Sequence, residues 1–444
     1  MMRLSFRLLP ILGLLVTGLI LTGCDSNGPS MDDDMDEDIP VPSSYTFSSP
    51  FVDGESAVAY PGQVTRNLLI ADIKTLTDAR ATPVTEQRLM DRYMYTNQDI
   101  DILLSTSPSP QQATYPDIAT DKSLQGKATA SYSDLALVGI GDVPGFSSGA
   151  TADDVIQQYL TDIASNYESG QTAPAAYTTA DEIDMGQIVN KLLLGGVAYS
   201  QGTAKYLDDV LDTSVSPNTQ DGDKPYSTLG HVWDEAFGYY GAAREFTASG
   251  VYFDDGGMVS NAADRDGDGA IDLESEFVYT WADYSVDRGT VNDIGFHTEL
   301  FQTFLEGRTA IINQESLENI RGHAAEARDL WEQVVAANVV HYLNSMEGDL
   351  SGLSDDQTIT REALGDDTAT AFNEHWGEAK PFAWALQFNS TKQISDAQLQ
   401  TLHDELGGTP PYGKTKSEAF SDINAAKSII QDVYGFPDAN MSNW

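Results

Sequence analysis

Apolar residues recur along this chain at the spacing of an α-helix, and that periodicity limits its fold more than any other feature. Val64, Leu68, Leu69, Ile73 and Leu76 follow the 3.6-residue period, as do Val155, Ile156, Tyr159, Leu160 and Ile163. Ile188, Val189, Leu192, Leu193 and Val197 carry it on into Leu207, Val210 and Leu211. Leu300 to Ile312, Ile320 to Met346 and Ala425 to Val433 read as further amphipathic helices, while strand-like alternation is scarce. Helix starts are predicted at Thr178–Glu182 and Ser395–Gln398, where a hydroxyl can accept a free amide N–H. Pro- and Gly-rich stretches at 105–116, 139–149, 214–225, 348–352 and 407–413 break the pattern into loops, so the helices are expected to stack as an all-α bundle.

A chain with one cysteine has no intramolecular disulfide, so this fold must rest on its core. The 400 residues from Tyr45 to Trp444 are enough for one large or two fused domains. The cysteine itself, Cys24, ends the run Leu21-Thr22-Gly23-Cys24, behind Arg3, Arg7 and an apolar stretch from Leu8 to Leu21. A short basic start, an apolar run too short to span comfortably and small residues before a cysteine predict a lipoprotein signal over 1–23, with lipid on Cys24. Residues 24–44, with Asp32-Asp33-Asp34-Met35-Asp36-Glu37-Asp38 at their centre, are expected to form a solvated acidic tether, because charges this dense repel and bury nothing.

The formal net charge is −44, and only seven of the 68 acids precede Ile39, so the excess belongs to the folded surface. Such a surface repels nucleic acid and anionic lipid faces. It also opposes compaction unless salt screens it, and screening shortens from about 10 Å at 0.1 M to about 3 Å at 1 M. The chain is therefore expected to be salt-adapted. Its melting point should climb as NaCl rises to molar levels, and a flat or falling series would remove that reading.

Two histidine stretches have similar neighbourhoods, Gly230-His231-Val232-Trp233-Asp234-Glu235-Ala236 and Glu374-His375-Trp376-Gly377-Glu378-Ala379. On helices, His231 shares a face with Asp234 or Glu235, and His375 with Glu378. An imidazole and a carboxylate one turn apart can ligate a transition metal, so His231, Asp234, Glu235, His375 and Glu378 are candidate ligands of one interhelical site for a transition metal or metal complex. Packing or simple hydrogen bonding is the alternative use of the same residues.

A third constellation runs from Asp264 to Glu276. Asp264, Asp266, Asp268 and Asp272 occupy positions one, three, five and nine of an EF-hand-type loop, Gly269 position six, and Ala270 offers the carbonyl of position seven. Position twelve is Ser275 instead of glutamate, which leaves Glu276 or another acid to close the site. Calcium is the expected ion. Elsewhere, Gly145-Phe146-Ser147-Ser148-Gly149 follows Pro144 in a loop where a nucleophile elbow needs a strand, so it is read as chance. His297 and His341 are read as packing or surface residues, and Tyr239, Tyr240, Trp376, Phe382 and Trp384 as core.

The stretches Trp233–Tyr239, Glu374–Lys380 and Asp268–Glu276 resemble an uncharacterised family of bacterial lipoproteins catalogued only as a domain of unknown function. The likeness runs from about Tyr45 to the C-terminus, and the acidic tether resembles Bacteroidetes-type signals that send lipoproteins to the outer face of the outer membrane. The same tether would serve equally as a plain spacer. That family is in turn similar to the imelysin-like lipoproteins, helical double bundles associated with iron acquisition and sometimes labelled peptidases. The imelysin pattern is Gly-x-His-x-x-Glu; here glycine adjoins His231, and Asp234 stands in place of the glutamate.

The resemblance implies an imelysin-like double bundle over 45–444, as two fused halves with an inserted calcium-type loop. It implies an outer-membrane, lipid-anchored binding protein that assists iron, haem or other metal acquisition beside an outer-membrane transporter. A metallopeptidase using His231 as ligand, with Asp234 or Glu235 as ligand or general base, is the enzymatic alternative. A structural or adhesive surface module is the third.

Overall fold

The apolar spacing does fold as helix. In this computed structural model, which describes residues 38–96 and 99–444, fourteen α-helices, together with shorter π and 3-10 turns, account for just over half of the described residues. Among the described residues the one paired strand element is the short hairpin Phe253–Asp254 with Gly257–Met258. The lipoprotein signal, Cys24 and the acidic run of the tether lie outside the described residues. Among the described residues no helix is long and apolar enough to cross a membrane.

Pro61 opens the helix Pro61–Thr77, where its missing N–H costs nothing, and Val64, Leu68, Leu69, Ile73 and Leu76 are all buried on it. Thr151 caps Ala152–Glu168 by accepting the Asp154 amide, and Ser395 caps Asp396–Leu406 by accepting that of Gln398. The spine is Leu317–Asp349, 33 residues and so about 50 Å long at 1.5 Å per residue. Phe296–Ile312 and Asp366–Ala385 pack along it, and Met185–Leu193 fills the space between Ala152–Glu168 and Asp366–Ala385. Lys416–Tyr434 pairs with Asp396–Leu406 at one side of the same spine. Residues Ile39–Trp444 make one compact unit.

Three expectations change. Thr178–Glu182 starts no helix: Glu182 takes a left-handed φ of +65°, and Asp184 caps Met185–Leu193 instead. Beyond Leu193 the helix widens into π turns over Leu194–Tyr199 and Gln201–Asp209. A Cβ on Gly195 would lie 2.7 Å from that of Ala385, and one on Gly202 would lie 2.6 Å from the Trp331 ring, so glycine is required for this close approach. Side chains from outside serve the widened coil: Trp281 Nε1 donates to the Leu194 carbonyl (3.1 Å) and the Ser133 hydroxyl to that of Gly196. Finally, the body begins before Tyr45, because the Ile39 backbone exchanges two hydrogen bonds with the Asn313 amide side chain (2.9 and 3.0 Å).

Candidate functional site

The first histidine station lies on the helix Thr228–Tyr240, which Ser227 caps. Asp234 is fully buried, and both its oxygens are taken by protein. Oδ1 accepts from Arg308 Nε (2.8 Å) and the Tyr45 hydroxyl (2.8 Å), while Oδ2 accepts the Ala59 amide (3.2 Å). Burial lifts the Asp234 carboxyl above its ordinary range against the pull of Arg308, and lifts the Tyr45 phenol well above its own. His231 Nδ1 meets the Ala59 carbonyl at 2.9 Å, and its ring stacks on Tyr226. Glu235 accepts from Gln63 Nε2 (2.8 Å) and the Tyr206 hydroxyl (3.1 Å).

The surrounding residues explain why this stretch reads as a signature. Trp233 fills the space at Gly307, where a Cβ would come within 2.1 Å of the ring, and donates Nε1 to the Phe304 carbonyl. Phe237 stacks on Tyr45 with centroids 3.6 Å apart. The helix therefore binds the N-terminal strap Tyr45–Tyr60 to the body, and Arg308 completes the lock by donating Nη2 to the Ala57 carbonyl (3.0 Å).

The second station lies on Asp366–Ala385. His375 Nδ1 is 2.7 Å from Asp349 at the end of the spine helix. Burial works against its protonation, but the hydrogen bond and charge of Asp349, with Glu378 and Glu374 beyond, hold its pKa above the ordinary value. Glu378 pairs with buried Lys191 at 2.8 Å, and that charge with Tyr284 keeps the ammonium above its usual range despite burial. Helix Thr228–Tyr240 packs mainly on Pro61–Thr77, Phe296–Ile312 and the π turns, and Asp366–Ala385 on the spine and Met185–Leu193. Among the described residues no three-ligand group joins His231, Asp234, Glu235, His375 and Glu378, so the single shared site expected of them is not assembled. The physical reason is that their carboxylates are already engaged: Asp234 by Arg308, Tyr45 and the Ala59 amide, Glu235 by Gln63 and Tyr206, and Glu378 by Lys191.

The acidic loop fares differently. Ligand oxygens of Asp264, Asp266 and Asp268 lie within 4.8 Å of one another. Asp264 accepts the amides of Gly267 (2.7 Å) and Gly269 (3.0 Å), Asp266 that of Asp268 (3.0 Å), and Asp268 that of Ala270 (2.9 Å). Gly267 and Gly269 take φ of +77° and +92°, which the tight curl requires. Glu276 is buried and accepts the amides of Arg265 (2.6 Å), Asp266 (3.1 Å) and Asp272 (2.8 Å), so it braces the loop from beneath. Asp272 is held by the Ser275 hydroxyl and Gln112 Nε2. Of the six calcium candidates, then, three converge, Ala270 sits on the same curl, and Asp272 and Glu276 shape it. Ile271, at the eighth position, forms a parallel bridge with Pro110 and fixes the loop to residues 109–112.

A feature that sequence reading missed is a cleft of about 900 Å³ lined by Asp162, Gln171, Thr178, Glu182, Arg361 and Asp366, among others. Arg361 Nε donates to Glu182 (2.9 Å), Asn373 Nδ2 donates to its other oxygen (2.7 Å), and the Tyr412 hydroxyl donates to Asn373 (2.9 Å). Arg361 holds the Glu182 carboxyl below its ordinary range. A non-glycine residue at φ +65° whose carboxylate is clamped on both oxygens is strain retained at a cleft wall. The parts lie in three separate segments with no common motif, so no local pattern announces them.

No curated protein matches this chain, and neither does any solved structure. The stretch that binds the strap, the acidic loop and the second histidine station all fall inside residues 42–406, which match the family described as Domain of unknown function (DUF4856), and the chain belongs to that family.

Proposed function

We propose that this chain is an exported, lipid-anchored binding protein, without a catalytic centre at its histidines, whose cargo cleft is the polar one beside Glu182 and Arg361. The observation that carries this reading is that both histidine stations are closed by protein partners, whereas the cleft is open and of a size suited to a small ligand. Asp162, Glu182, Asp366 and Asp367 outnumber Arg361 along its walls, which favours a cationic cargo. That preference supports the role in metal acquisition at the outer membrane, with the cargo in the cleft instead of at His231 and His375. The relation to imelysin-like lipoproteins and their double bundle is part of the same proposal and rests on the sequence around His231.

Calcium on Asp264, Asp266 and Asp268, completed by the Ala270 carbonyl, would brace the loop against residues 109–112. Calcium titrated into metal-stripped protein should release or absorb heat near one equivalent and raise the melting point, and Asp266→Asn with Asp268→Asn should abolish both. Absence of heat and of a melting shift in the native sequence removes the calcium reading. Casein cleavage that a chelator stops would instead support the metallopeptidase and overturn the binding reading.

A further inference from the structure

In so acidic a protein most cations find a carboxylate. Of the 22 lysines and arginines among the described residues, 15 have a carboxylate oxygen within 4 Å. Three of the remaining seven, Arg66, Lys122 and Lys127, stand together. Arg66, on Pro61–Thr77 and nearly buried, donates Nε to the Ser123 carbonyl (3.2 Å) and Nη1 to that of Gly62 (3.3 Å). The stem of Lys122 lies over Gly62, with Cε 3.1 Å from where a Cβ would be. Lys127 follows one turn after Ser123 on Gln125–Ala128, its ammonium 5.8 Å from the centre of the Tyr206 ring.

Glu235 is the carboxylate facing this group, and it is already held by Gln63 and Tyr206. Lys205, next along, is neutralised by Asp209 at 2.8 Å. None of the three cations has a carboxylate oxygen within 4 Å. At the inner end the Tyr239 hydroxyl is fully buried, with the Arg66 guanidinium as its polar neighbour. Burial, with Arg66 adding to it, depresses the Lys127 amine to about 8, a penalty that a bound anion would relieve.

We propose that Arg66, Lys122 and Lys127 form a site for a small doubly charged oxyanion of the phosphate or sulfate type, separate from the cleft. Three clustered cations without a close carboxylate suit a dianion, and the local pull acts within a few ångströms, where the repulsion of the distant acids is screened by salt. The test is calorimetric titration of the mature protein with sodium phosphate and, separately, sodium sulfate, at constant ionic strength set with NaCl. Saturable binding is expected for at least one of the two dianions, with a melting point above that in NaCl alone. It should weaken at least tenfold in Lys122→Gln with Lys127→Gln. Should that pair fail to fold, Lys122→Gln alone, at a half-exposed position, should still weaken binding severalfold. No saturable binding of either dianion, or binding unchanged in a folded variant, overturns the site.

Discussion

Replacing Arg308 with methionine should cost about 3–5 kcal/mol of unfolding free energy, because it strands the Asp234 carboxylate in the interior with its charge uncompensated. Arg308 is 1% exposed, and it serves both Asp234 and the Ala57 carbonyl, so water cannot substitute for it. Urea denaturation at neutral pH measures the loss. Adding Asp234→Leu to Arg308→Met should recover a large part of it, since removing both charges of a buried pair is far less damaging than removing one. A loss below about 1 kcal/mol in the single variant would mean that Asp234 is not held as described.

Lys380→Met should act in the opposite direction. Lys380 is fully buried; its ammonium reaches the His403 carbonyl at 3.4 Å and lies over the Trp384 ring, with no carboxylate within 4 Å. The titratable groups that face it are Asp142 from the loop after Leu137, and Asp404 and His403 from Asp396–Leu406. Burial lowers its pKa from 10.5 to about 7, and the two aspartates recover little of that. Between those values the unfolded chain holds a proton that the folded chain does not. Native stability must therefore rise with pH over that window, by about 1.4 kcal/mol per unit at most. Below pH 7 both states are protonated and the penalty is complete. Methionine removes it, so the variant should melt higher at pH 7 and lose this rising limb. Equal melting points and parallel pH profiles would contradict that.

Much of the scaffold was legible because apolar spacing reports which side of a helix is buried. Val64 to Leu76 and Ile320 to Met346 need no distant information to be read. The charged partners needed it. Arg308, Lys191 and Lys380 sit among apolar neighbours, which signals a buried charge, but Asp234 lies 74 residues from Arg308, and nothing local pairs them. The histidine stations illustrate the same boundary. The spacing does place His231 and Asp234 on one face, as inferred, yet only the tertiary structure turns that face toward Ala59 and the N-terminal strap. The curl of the acidic loop followed from its alternating aspartates and glycines, whereas the brace supplied by Glu276 depends on amides ten and eleven residues back.

The strap has a consequence for the order in which the molecule assembles. Its ties span 189 residues from Tyr45 to Asp234 and 251 from Ala57 to Arg308, so closing them early would carry a large entropic penalty with no helix pair yet formed to offset it. The strap, although it precedes its receiving helices in the chain, is thus secured last, after those helices have docked.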